Sequence, residues 1–124
     1  MTTALLIGIG GFIGSILRYY IGVLLSSQVT SQLPLATLSI NLIGSLIIGI
    51  FLSAGQDKLG YSFFFLVPGL LGGFTTYSAF SGEIVNLLKQ QSHGTALIYI
   101  SSSVIGGILI CWVGFGIGRT LFRP

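Results

Sequence analysis

Four apolar stretches, at roughly residues 4–25, 35–52, 62–88 and 95–118, take up nearly all of this chain, and each is long enough to cross a bilayer as one helix. Little remains for a soluble domain, so the 124 residues are expected to form a single four-helix unit of an all-α integral membrane protein. Scarce charge agrees with this, since 6% of residues are Asp, Glu, Lys or Arg, against roughly a quarter in soluble domains. The first stretch carries neither a charged leader nor a small-residue cleavage site, and it is expected to stay as the first helix rather than be removed as a signal.

The connections are short and polar. Residues 26–34 are rich in Ser and Gln, 54–61 carry Gly55, Gln56, Asp57 and Lys58, and 89–94 carry two glutamines and His93. Three excess positive charges do not make a nucleic-acid surface here, because they are scattered at segment ends, where Lys and Arg snorkel to headgroups. One face collects Lys58, Arg119 and Arg123, and the other collects Lys89 and, near the end of the first span, Arg18. That bias toward a cytoplasmic N-terminus is slight, and it permits either one orientation or insertion both ways.

Four thin helices bury little polar surface, yet Arg18, Asn41, Thr75, Thr76, Ser81, Glu83 and the run Ser101 to Ser103 lie within or near the spans. Small residues also recur four apart, as in Gly10 and Gly14, Ser45 and Gly49, Ser103 and Gly107, and Gly114 and Gly118. Such spacing lets helix backbones approach closely, either inside the bundle or between copies. At least a dimer is expected.

Catalysis has no visible basis. A lone His93, a lone Cys111 and two carboxylates make neither a zinc site nor an acid and base pair, so the chain is not expected to be an enzyme. The glycines from Gly8 to Gly14 have the wrong spacing for a phosphate loop and lie inside a span, where they serve helix packing.

The third stretch is different from the others. Pro68 and then Gly72-Gly73 followed by Thr75-Thr76 propose a break in the third helix, and carbonyls exposed at such breaks ligate hard cations. Beyond it, Tyr77 and Phe80 with Ser81 share a helical face, and ring edges carry positive charge density that attracts anions without gripping them. Thr37, Asn41 and Ser45 form a stripe on the second span that either replaces water around a small anion or bonds between helices. Arg18 either snorkels, draws anions to a pore mouth, or pairs with Glu83 or Asn86.

Three runs in order, Gly10-Gly11-Phe12-Ile13-Gly14-Ser15-Ile16-Leu17-Arg18-Tyr19, Thr37-Leu38-Ser39-Ile40-Asn41-Leu42-Ile43-Gly44-Ser45 and Gly72-Gly73-Phe74-Thr75-Thr76-Tyr77-Ser78-Ala79-Phe80-Ser81-Gly82-Glu83, resemble the Fluc (CrcB-type) fluoride channels over the whole chain. The resemblance implies a passive, fluoride-specific channel of the bacterial plasma membrane that lowers fluoride toxicity. It also implies an antiparallel, dual-topology dimer, homomeric or paired with a homologous subunit, and a structural, untransported Na+ at its centre. In this chain the Na+ positions fall at Gly72 and Thr75. The fluoride path falls at Asn41, Tyr77, Phe80 and Ser103, with Thr37 and Tyr99 as further members, and Arg18 matches the family arginine of the first helix. Two positions depart from the pattern: Tyr77 stands where phenylalanine is usual, and Gly107 where many relatives carry serine. Such departures fit a non-conducting partner subunit as well as a channel. The competing class, a small proton-coupled drug exporter, needs a carboxylate in its first helix, where this chain has Arg18.

Overall fold

The computed structural model describes residues 1–26 and 32–122. Most of the Ser/Gln-rich first connection and Arg123, counted above among the flanking charges, lie outside the described residues. Four helices, α1 (Thr2–Ser26), α2 (Leu35–Leu59), α3 (Ser62–Lys89) and α4 (His93–Leu121), are each long and apolar enough to cross a membrane. No strand occurs among the described residues. The protein is an all-α, multi-pass membrane protein.

The helix ends differ from the apolar stretches in a regular way. Where the hydrocarbon-like run of α2 stops at Leu52, good helix formers carry the chain on through Gln56 and Lys58, with a kink at Gly55 (φ 67°, ψ −179°). Gly60 (φ 54°) then ends it, and its N–H donates to the Gln56 carbonyl at 2.7 Å. Both glycines sit in left-handed backbone that a side chain would strain. The Lys58 ammonium donates to the Phe122 backbone carbonyl, tying the end of α2 to the end of α4.

Helix α3 is irregular along its length. It opens as α-helix at Ser62–Phe64, widens to a π-helical segment at Phe65–Leu71, and returns to α-helix for Gly72–Phe74. Pro68 explains the widening, because its ring crowds the carbonyl four residues back and it has no N–H to give. Thr75 (φ −81°, ψ 157°) and Thr76 (φ −147°, ψ 118°) are extended, and α-helix resumes over Tyr77–Lys89. The glycines singled out as the breaking residues stay helical, and Gly72 has φ −62° and ψ −38°. Gly73 is needed for proximity instead: a Cβ there would lie 2.9 Å from the Gly11 Cα.

Two tight seams organise the bundle. Helix α1 packs along the upstream half of α3, and α2 packs along α4. At the first seam, a Cβ on Gly10 would stand 2.8 Å from the Leu70 nitrogen and one on Gly14 2.9 Å from the Phe74 nitrogen. At the second, Gly49 lies against Cys111 and Phe115 while Gly114 and Gly118 lie against Leu46 and Ile50. The small-residue spacing is therefore used within the chain. Between the seams sits a small core of Leu38, Phe80, Leu87, Ala96 and Tyr99, in which Tyr99 is fully enclosed.

Candidate functional site

A helix interrupted inside an apolar layer must find new partners for the backbone groups it releases, since each unmet group costs on the order of several kcal/mol in hydrocarbon. The structure supplies such partners at Thr76 and Ala79. In an unbroken α3 the N–H groups of Thr76, Tyr77 and Ala79 would bond the carbonyls of Gly72, Gly73 and Thr75. Instead the Thr76 N–H donates to Asn41 Oδ1 at 2.9 Å, and Asn41 Nδ2 donates back to the Thr76 carbonyl at 3.1 Å. The Ala79 N–H donates to Thr76 Oγ1 at 3.3 Å, so that hydroxyl caps the resumed helix. Thr75 directs both its N–H (3.0 Å) and its Oγ1 (2.9 Å) to the Leu71 carbonyl.

The Gly73 carbonyl accepts from Arg18 Nε at 3.2 Å and from Ser15 Oγ at 3.5 Å. Arg18 thus turns inward onto the negative end of the upstream half-helix, where a cation is favoured. Pairing with Glu83 or Asn86, offered above as one of its roles, is not what the structure shows. At Gly72 and Thr75 the carbonyls have lost their helical donors to Asn41 and to Thr76 Oγ1. Carbonyl oxygens in that condition are suitable ligands for a hard monovalent or divalent cation. Their chemistry fits the Na+ expected at these two residues.

Beside the interruption lies a cavity of about 300 Å³ lined by Asn41, Ser45, Thr75, Thr76, Tyr77, Phe80 and Ser103, among others. Four expected anion-path residues, Asn41, Tyr77, Phe80 and Ser103, meet there. The Ser103 hydroxyl is buried with no hydrogen-bond partner among the described residues, which leaves its proton free to donate. Tyr77 and Phe80 stand 5.8 Å apart by ring centroid, with Tyr77 80% exposed and Phe80 packed edge-on against Tyr99 at 5.1 Å. A neighbouring cavity of about 600 Å³ continues along Ser45, Ser103, Gly107, Cys111 and Trp112.

Thr37 and Tyr99 are placed differently from the other four. Thr37 Oγ1 donates to Glu83 Oε1 at 2.7 Å and the Tyr99 hydroxyl to Glu83 Oε2 at 2.6 Å, so one carboxylate binds α2, α3 and α4 together. Thr37, Glu83 and Arg18 line a separate opening of about 570 Å³ on the far side of Thr76. Glu83 is the functional-site residue the sequence reading left without a role of its own. An acid inside an apolar span was the available signal, because intramembrane charge marks a site by default. The stripe Thr37, Asn41 and Ser45 therefore runs from one opening to the other past the interruption.

Comparison with known proteins agrees with this architecture. The family model for CrcB-like protein, Camphor Resistance (CrcB), matches residues 5–115. A protein of Nautilia profundicola named fluoride-specific ion channel FluC is 46% identical over 116 residues, covering 91% of each chain. Proteins of the same name from Flavobacterium psychrophilum and Thermus thermophilus are 39% and 37% identical, over 98% of this chain in both cases and 100% and 98% of the relatives. Family, span and length together leave neither an enzyme nor a four-helix drug exporter in play, and the chain belongs to the CrcB family of membrane proteins.

Proposed function

We propose that this protein is a fluoride-specific channel that passively carries F− out of the bacterial cytoplasm through the plasma membrane. One observation carries the reading: in a family whose relatives are named for fluoride, Asn41, Tyr77, Phe80 and Ser103 converge on one cavity beside an interrupted transmembrane helix. Fluoride enters acidified cells as neutral HF and is trapped inside as the anion. A passive pore then suffices, because the negative-inside potential favours exit by about 2.3 kcal/mol per charge for each 100 mV.

Selectivity falls to groups that replace water around a small, strongly hydrated anion. Ser103 offers an unpaired O–H, Asn41 keeps one amide hydrogen beyond its bond to Thr76, and the rings of Phe80 and Tyr77 offer electropositive edges. Thr37 and Tyr99 contribute by fixing the Glu83 carboxylate at the second opening, near Arg18. Gly72 and Thr75 hold Na+ through their freed carbonyls. When bound, that ion supplies a fixed positive charge beside the anion path and is not transported.

The active assembly is an antiparallel dual-topology dimer. A homodimer is the simpler case, and a pair with a homologous subunit is the variant to which the Tyr77 and Gly107 departures point. The test is fluoride efflux from liposomes holding the purified protein alone, read with a fluoride electrode. Efflux is expected to be fast, to spare chloride, and to be lost in Phe80→Ile. Silence of the unaltered protein that no homologous partner relieves would overturn the proposal.

A further inference from the structure

We infer that Asn41 and Arg18 are positioning residues that together hold the α3 interruption in one arrangement, steering which carbonyls are left for a cation. The inference rests on the reading that Gly72 and Thr75 ligate Na+. Its ground is the division of the released backbone groups. Asn41 meets the extended Thr76 on both of its polar sides, as a neighbouring strand would, with Oδ1 accepting the N–H and Nδ2 donating to the carbonyl. Only a side-chain amide presents an acceptor and a donor together at that spacing, and neither a carboxylate nor a hydrocarbon can do both. With one lone pair and one amide hydrogen so used, Asn41 serves the backbone before it serves an anion.

Arg18, assisted by Ser15, meets Gly73. Gly73 lies in the helical turn Gly72–Phe74 that ends at Thr75, so its carbonyl would otherwise compete for the same cation. Taking up the Gly73 carbonyl, and taking the Thr76 N–H and Ala79 N–H away from Gly72 and Thr75, leaves the carbonyls of Gly72 and Thr75 without their helical donors. Two helices, α1 and α2, thereby set the coordination offered by a third. Arg18 acts at 55 residues' separation and Asn41 at 35, so neither contribution follows from local helix chemistry.

Amide hydrogen exchange and sodium titration, run on purified wild type, Asn41→Leu, Asn41→Asp, Arg18→Met and Arg18→Lys, decide the matter. The Thr76 amide, located by overlapping peptides, is expected to exchange about tenfold faster in Asn41→Leu, with α4 unchanged, as local opening predicts. In Asn41→Asp it stays slow, because the carboxylate still accepts from it. Arg18→Met, which frees the Gly73 carbonyl and removes a positive charge beside the site, is expected to lower the sodium concentration that half-stabilises the protein against heat by about threefold or more, while Arg18→Lys stays near wild type by keeping a charged donor. Unchanged Thr76 exchange in Asn41→Leu, or fast exchange in Asn41→Asp should the leucine variant fail to fold, overturns the inference. Equal sodium response in Arg18→Met and wild type overturns the Arg18 half. A wild type indifferent to sodium would remove the cation reading alone, and the exchange data would still decide the positioning role of Asn41.

Discussion

At the scale of single residues, the most exacting chemistry belongs to Glu83, whose two oxygens each receive a short hydroxyl bond from a different helix. Tyr99→Phe removes one donor from an enclosed site and leaves a carboxylate oxygen unmet, which costs about 1–3 kcal/mol. Thermal unfolding in detergent should show the loss, and an unshifted midpoint would mean that water replaces the hydroxyl. Thr37→Val should act in the same direction. Asn41, Tyr77 and Phe80 were legible in the sequence because helical periodicity puts polar or aromatic residues four or three apart on one face, whereas Ser103 was picked out by the family resemblance. Glu83 gained no role there because its partners lie 46 and 16 residues away, a relation that periodicity does not encode. The direction of Arg18 was open for the same reason: snorkelling and inward pairing share one sequence pattern, and the Gly73 carbonyl decides between them.

Helices, taken as elements, were legible in their order, since apolar length fixes where a chain can span a membrane, but α2 runs on to Leu59, past the expected end at Leu52. The irregularity in α3 was legible in kind and misplaced in detail. Glycine flexibility pointed to Gly72 and Gly73, whereas the extended residues are Thr75 and Thr76, which exchange helical bonds for a side-chain amide and a cap. At Gly73 glycine is required by the approach of α1, which leaves no room for a Cβ beside Gly11. The seams yield a paired prediction. Gly49→Ala or Gly114→Ala drives a methyl into facing backbone and should destabilise by about 1–3 kcal/mol, as overpacking does. Gly116→Ala, where nothing lies within 4 Å, should be neutral or slightly stabilising by helix propensity. Denaturation in mixed detergent separates the two classes, and equal effects would refute the assignment of the seams.

For the whole molecule, the proposed antiparallel dimer has a direct consequence for labelling. With Cys111 replaced by Ser, a cysteine at Asp57, exposed near the end of α2, should react with an impermeant maleimide from both sides of the membrane, in about equal shares, since the flanking charge bias is weak. Labelling from one side only would refute dual insertion. The glycine seams weld α1 to the upstream half of α3, and α2 to α4, by backbone contact that no larger residue can enter. The candidate site lies where these two welded pairs meet, joined by side chains such as Asn41, Thr37 and Glu83. A substitution at the exposed Tyr77 ring therefore changes the cavity lining while both glycine seams stay intact.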